Sequence, residues 1–278
     1  MKNQPLKGKV AVVTGGSRGV GKGISICLGQ AGATVFVTGR TNRPGGFIFP
    51  GSIAETAEEV TRRGGRGIAI QCDHADDEAV KRVFERIHGE VGDIDILVNN
   101  VFAAPDRMPV NVPFWQLDED LWDGLLRVGL RSHYVASRCV AGRMAERGSG
   151  LIVCTSSGGS VRYTFNVPFG VQKAGVDKLA KDMAHDLRPF NVASIVVWPG
   201  FLKSEKFMAQ PDRMPAALAQ RIMEHGESAE FAGRAVVGLA TDPRIMEKSG
   251  KLHLVAELAQ EYGFTDIDGR VPAAPLRT

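Results

Sequence analysis

Lys173 stands four residues after Phe169 in the segment NVPFGVQKAG, residues 166–175. The segment opens a helix-period pattern over 168–188, on which positions 169 and 173 share one face. An ammonium group there can bind hydroxyls through charge-assisted hydrogen bonds and can lower the pKa of a proton donor beside it. Phe169, one turn away, has no proton to give. The other chemistry-bearing stretch is VVTGGSRGVGKG, residues 12–23. Gly15, Gly19 and Gly21 permit a tight turn and close backbone approach between an apolar run and a helix pattern, and the helix start offers unpaired N–H groups to a diphosphate. Gly16 and the Gly21-Lys22 pair nearly spell a triphosphate-binding loop, but Gly23 stands where that loop needs Ser or Thr to hold magnesium.

These residues need a scaffold. Apolar runs at 10–14, 34–38, 67–73, 95–100, 151–157 and 193–200 read as buried parallel strands, with a seventh near 250–255. Helical patterns lie between them at 19–31, 52–63, 76–90, 118–146 and 168–188. This alternation predicts an α/β, Rossmann-like, doubly wound parallel sheet flanked by helices. No linker or internal repeat interrupts residues 1–278, so one domain is expected. Three segments exceed the minimal unit: a Pro/Gly loop at 41–52, a Pro-rich excursion at 101–117 and a third at 201–227. Ligands of such sheets bind beyond the carboxyl ends of the strands. The second and third excursions are therefore expected to shape a substrate site, and their Phe, Trp, Met and Pro content favours an apolar substrate.

In a dinucleotide-binding unit of this kind, an acidic residue at the end of the second strand would bind a ribose 2′-hydroxyl. Here the stretch reads VTGRT, with Arg40, and Arg18 lies inside the glycine loop. Two guanidinium groups suit a 2′-phosphate, so NADP(H) is expected over NAD(H).

Bulk properties close off other classes. The formal charge is +3, with Lys and Arg scattered, which argues against a nucleic-acid-binding stripe. Cys27, Cys72, Cys139 and Cys154 are widely spaced with no CxxC pair, as expected of reduced core thiols in a cytoplasmic protein. No His, Cys and carboxylate cluster has metal-ligand spacing. The N-terminus MKNQPLKGK lacks a signal-peptide core, and no apolar run approaches the ~20 residues of a membrane span.

The stretches TGGSRGVG (14–21), CD (72–73), LVNN (97–100), TSS (155–157), Lys173 with its helix, and WPGFLKS (198–204) together resemble the short-chain dehydrogenases/reductases over nearly the whole chain. VGLRSHY (128–134), FNVPFGVQKAG (165–175), LATDP (239–243) and DIDGR (266–270) resemble, more narrowly, the subgroup called dehydrogenase/reductase member one. The resemblance implies hydride transfer between NADP(H) and a carbonyl/alcohol pair, in a homodimer or homotetramer. It implies that Gly15, Ser17, Gly19, Val20 and Gly21 belong to the cofactor-binding loop, that Arg18 and Arg40 lie where the 2′-phosphate would sit, that Asp73 contacts adenine and that His74 flanks the adenine site. Asn99, Asn100, Val101 and Thr155 would line the cleft, and Pro199, Gly200, Leu202 and Ser204 would hold the nicotinamide end. Lys173 would bind nicotinamide-ribose hydroxyls. Ser157 would hydrogen-bond the substrate oxygen, with Ser156 as the alternative.

The departures matter more. The family's NNAG reads Asn99-Asn100-Val101-Phe102, and the Asn that often supports a proton-relay water falls at Gly129. Phe169 occupies the position of the Tyr that gives or takes the proton. General acid catalysis supplies ~10²–10⁴-fold, so reduction is expected to be slowed by about that factor unless Tyr163, Ser157 or a water on Lys173 substitutes. The competing readings are a non-catalytic NADP(H)-binding sensor or scaffold, and lyase or isomerase chemistry on the same fold.

Overall fold

The computed structural model describes residues 4–43, 45, 49–103, 105–214 and 216–274, so small parts of all three excursions lie outside the described residues. The chain runs β1 Val10–Thr14, α1 Gly19–Gln30, β2 Thr34–Gly39, α2 Ile53–Arg62, β3 Arg66–Gln71, α3 Asp77–Val91, β4 Ile96–Asn99, α4 Glu119–Leu126, α5 Ser132–Arg147, β5 Gly150–Thr155 and α6 Val167–Leu187. It continues through β6 Val192–Trp198, α7 Glu205–Ala209, α8 Ala216–His225, α9 Ala229–Thr241, α10 Ile245–Lys248, β7 Leu252–Leu254 and α11 Val255–Tyr262.

The seven strands form one parallel sheet in the order β3-β2-β1-β4-β5-β6-β7. The inner strands β1, β2, β4, β5 and β6 are short, mostly apolar and largely buried because both faces are covered, while the edge strand β3 carries exposed Arg66 and Gln71. The pleat divides the side chains: Ala11 and Val13 join a core with α1, α2, α9 and α11, while Val12 joins the opposite core with α3, α5 and α6. In β4, Ile96 and Val98 face the first core and Leu97 the second. The strand order reverses where β1 pairs with both β2 and β4. A crevice must open at the carboxyl ends of that pair, because the chain leaves them toward opposite sides of the sheet.

The long helix expected over 118–146 is interrupted. Between α4 and α5, residues Arg127–Arg131 form a π turn. Its central residue supplies the reason: the Gly129 carbonyl accepts a hydrogen bond from Gln172 Nε2 of α6 at 2.6 Å, so the intrahelical ladder widens there. The excursion at 201–227 contains two helices, α7 and α8.

Helix α6 is fixed from several sides. Asn166 caps it, accepting from Phe169 N at 3.0 Å, and donates through Nδ2 to Pro109 O at 3.0 Å. Trp198 Nε1 of β6 donates to Asp177 at 3.2 Å, one turn beyond Lys173. Ser194 Oγ donates to Ala180 O at 2.9 Å. The residue before the cap, Phe165, has a φ of 61°, a left-handed conformation uncommon outside glycine.

Candidate active site

The loop after β1 is joined to the loop after β4. Asn100 Nδ2 donates to the carbonyls of Thr14 at 2.9 Å and Gly15 at 3.0 Å, while Thr14 Oγ1 accepts from the backbone N–H groups of Asn100 and Val101. Gly15 has a φ of 69°, and a Cβ there would lie 2.6 Å from Val101 Cα, so only glycine fits the crossing. Helix α1 begins at Gly19, with Arg18 at the cap position. It has no side-chain cap bond and no acidic residue in its first turn. The Gly19 N–H is taken instead by Glu205 Oε2 of α7 at 2.8 Å, and Glu205 Oε1 lies 3.2 Å from Lys22 Nζ. A carboxylate thus stands where the free end of α1 receives an anion, and the backbone cradle fits the diphosphate of a dinucleotide.

A cleft of ≈ 580 Å³ opens over this loop. Among the residues singled out in the sequence, Gly15, Ser17, Arg18, Val20, Arg40, Asp73, His74, Asn100, Val101, Thr155, Ser156, Lys173, Pro199 and Ser204 line it. Gly19 and Gly21 belong to α1 behind the loop, and Gly21 packs directly against Asn100 Nδ2. Leu202 lies against Gly19, and Gly200 against the Glu227 carboxyl. Asn99 departs from expectation. It is fully buried beneath the cleft, donating to Ser137 Oγ at 2.8 Å, because the last residue of β4 turns its side chain toward α5. Phe49 and Lys206 also line the cleft. Neither position had a periodicity or motif to mark it, since both come from excursions.

At the end of the cleft beside Arg40, Arg18 reaches across to the loop before α2. Its Nε donates to Pro50 O at 3.1 Å and its second amino group to Gly51 O at 2.9 Å. Burial pulls the Arg18 guanidinium below its ordinary value; Glu205 opposes the shift and the neighbouring positive Arg40 adds to it. Arg40 itself is exposed at the rim. His74 is buried with Nε2 2.9 Å from Thr38 Oγ1, and burial lowers its pKa to about 4, so the ring is neutral at pH 7.

At the opposite end, two aromatic rings, Phe102 and Phe169, approach the ammonium of Lys173, and Phe165 packs against the second of them. Phe169 meets Phe102 and Phe165 edge to face, with centroids 6.0 and 5.0 Å apart. Lys173 Nζ lies 4.9 Å from the Phe102 centroid and 5.8 Å from that of Phe169. Burial lowers the Lys173 pKa to about 8, with Asp177 pulling the other way. Phe169 packs on Gly159, and a Cβ at that glycine would also sit 3.4 Å from Ser157 Oγ, so the Ser157 hydroxyl and the Phe169 ring edge converge over one residue. Ser157 Oγ otherwise accepts a long bond from Gly159 N at 3.4 Å, whereas Ser156 Oγ donates to Lys173 O. Ser157 is therefore the less committed hydroxyl. Tyr163 is 72% exposed and does not line the cleft. His133 packs below, within 3.1 Å of Val101 O through Nε2, its pKa lowered to about 3 by burial.

Glu227 was not marked in the sequence. Its main chain pairs with the segment after β6, donating to Phe201 O at 2.7 Å and accepting from Lys203 N at 3.0 Å. Its carboxyl lies buried behind Gly200, with Oε1 unpaired among the described residues. Burial pushes its pKa up to about 8, against the Gly200 N–H and helped by Asp266. A smaller cavity, ≈ 110 Å³, sits between the second and third excursions, with Met108, Val110, Phe165, Phe207, Met214 and Leu218 on its walls. No metal-ligand cluster occurs among the described residues, and no helix there is long and apolar enough to cross a membrane.

The short chain dehydrogenase family profile matches residues 9–215. The chain belongs to the short-chain dehydrogenase/reductase family. It is 42% identical to mouse (Mus musculus) dehydrogenase/reductase SDR family member 1 over 275 residues, covering 96% of this chain and 85% of that protein. The human (Homo sapiens) protein of the same name is 40% identical over the same shares. The fold also matches a metagenomic short-chain oxidoreductase solved in complex with NADP, at a TM-score of 0.70 and 25% identity, covering 90% of this chain and 97% of that one. Members of this oxidoreductase family bind a nicotinamide cofactor and act on small molecules, and the glycine loop, Lys173 and the cleft between them are where this chain would do so.

Proposed function

We propose that this protein is an NADP(H)-dependent oxidoreductase of an apolar carbonyl/alcohol pair whose principal proton donor is missing. The observation that carries the reading is one cleft joining an anion-ready α1 terminus to Ser156 and Lys173, with the Phe169 ring 5.8 Å from the Lys173 ammonium and its edge meeting Ser157 Oγ over Gly159, both just outside the cleft wall. The cofactor, when bound, supplies or accepts the hydride. Gly15, Ser17, Gly19 and Gly21 fit its diphosphate, Asp73 and His74 its adenine, and Pro199, Gly200, Leu202 and Ser204 its nicotinamide end. Arg18 and Arg40 favour the 2′-phosphate, because two positive groups meet it and no carboxylate competes in VTGRT. The NADP complex of the metagenomic relative supports this choice.

Lys173 holds ribose hydroxyls, and Ser157 orients the substrate oxygen. With no phenol at 169, the proton reaches that oxygen from Ser157 or from a water on Lys173. Lys173 is suited to recharge such a water near neutrality, since its pKa is about 8. The apolar cavity beside Phe165 and Phe207 fits an aliphatic or aromatic substituent.

Calorimetric titration with NADPH and NADH, followed by a carbonyl panel read as loss of NADPH absorbance, tests the proposal. NADPH should bind at least about tenfold tighter, roughly 1.4 kcal/mol, with slow turnover on some member of the panel. Tight NADPH binding with no turnover on any carbonyl would favour a non-catalytic nucleotide-binding protein.

A further inference from the structure

Helix α1 is built without an anion of its own. Its cap position, Arg18, contributes no side-chain acceptor, and its first turn holds no Asp or Glu. The missing acceptor comes from a residue 186 positions away: Glu205 Oε2 takes the Gly19 N–H at 2.8 Å, and Oε1 pairs with Lys22 at 3.2 Å. The next residue extends the same link. Lys206 Nζ donates to Pro105 O at 2.7 Å and lies 4.8 Å over the Phe49 ring. Two adjacent side chains of α7 thus tie all three excursions across the mouth of the cleft.

We infer that Glu205 is an internal stand-in for the cofactor diphosphate, occupying its helix-terminal N–H and its lysine until the dinucleotide displaces it. The inference deepens the nicotinamide-cofactor reading and rests on it. Both anions need the same donor, Gly19 N–H, and one donor cannot serve a carboxylate and a diphosphate with full hydrogen bonds at once. A retained Glu205 would also face the diphosphate as a like charge. Binding therefore loses the free energy of the Glu205 contacts, and the cofactor's apparent affinity is lower than the cradle alone would give. Displacement also releases the segment that carries Lys206 and Phe207, both of which line the apolar cavity. Glu205 thereby links occupancy of the diphosphate site to the shape of the substrate side.

The test is calorimetric titration of the full chain and of Glu205→Gln and Glu205→Ala, with NADPH and separately with inorganic pyrophosphate. Both variants should bind both ligands tighter, by about tenfold for Glu205→Ala. Melting temperatures give an independent readout. Without ligand, Glu205→Ala should melt lower than the parent chain, because α1 loses its acceptor; with saturating NADPH the gap should close or reverse. Unchanged or weaker binding of pyrophosphate by both variants would overturn the inference. If pyrophosphate separates the variants while NADPH binds to none of the forms, the stand-in role holds and the nicotinamide-cofactor reading fails instead.

Discussion

The Lys173 ammonium lies 4.9 Å from the centre of the Phe102 ring, at a position where the family's NNAG stretch carries a small residue. A ring face attracts a cation but offers it no acceptor, so the ammonium is both held and partly desolvated. Its pKa near 8 follows from its burial. Lys173→Ala should weaken NADPH binding by ~1–3 kcal/mol through the lost charge-assisted bonds to ribose. An unchanged calorimetric dissociation constant would refute the ribose-binding role.

Phe169→Tyr should restore a general acid. The ring already lies beside Lys173 and over Gly159 with Ser157, and the change adds one hydroxyl. Stability should stay within about 1 kcal/mol, and kcat/KM for NADPH-dependent reduction should rise by roughly 10²-fold or more. Parallel kinetics of the two forms on the best carbonyl of a panel decide the matter. Brisk turnover by the parent chain, with no gain in the Tyr form, would mean that another group already supplies the proton.

Arg40→Asp should shift preference from NADPH toward NADH, because it exchanges attraction for a 2′-phosphate with repulsion at the rim. Arg40 is exposed, so solvent screens part of the effect, and a loss of about tenfold in relative affinity is expected. Paired titrations with both cofactors measure it; an unaltered ratio would leave Arg18 as the sole discriminator.

The buried Glu227 carboxyl should make the fold weaken with rising pH. In the folded chain its pKa is about 8, above the ordinary 4.5. Between those values the folded state keeps a proton that the unfolded state has lost. The contribution to stability is therefore complete below about pH 4.5 and lost as pH rises through 8, at no more than about 1.4 kcal/mol per pH unit. Buried His74 and His133, with pKa values of about 4 and 3, act in the opposite sense below their ordinary 6.5. Glu227→Gln should flatten the decline between pH 6.5 and 8. Denaturant midpoints across that window provide the check, and an equal slope in both proteins would show that the carboxyl is ionised when folded.

The sheet was readable in the sequence because its inner strands are largely apolar runs that both faces bury, with a glycine or cap signal nearby. The observed β1, Val10–Thr14, coincides with the run VAVVT. That the glycine loop and Lys173 share one cleft was readable for a related reason: local chemistry at fixed spacing follows from local backbone. Glu205, Lys206, Phe49 and Glu227 were not readable. Each acts through a partner tens to hundreds of residues away, in segments without periodicity, and only the folded chain brings them together. Asn99 illustrates the same limit from the other side. Its neighbour Asn100 points into the cleft and Asn99 away from it, because side chains alternate along an extended strand.

The hydrogen bond between Gln172 and Gly129 has a consequence for the routes by which this site can change. A Cβ at position 129 would lie 2.8 Å from Gln172 Nε2, so the Asn that the family often carries there collides with the glutamine already in place. The two positions are coupled, and the order of substitution matters. A side chain at 129 requires the Gln172 amide to move away, which breaks its hydrogen bond to the Gly129 carbonyl. Changing 129 first displaces the glutamine amide from that hydrogen bond. Shortening Gln172 before changing 129 avoids that rearrangement, so the effect of a substitution at 129 depends on which residue stands at 172.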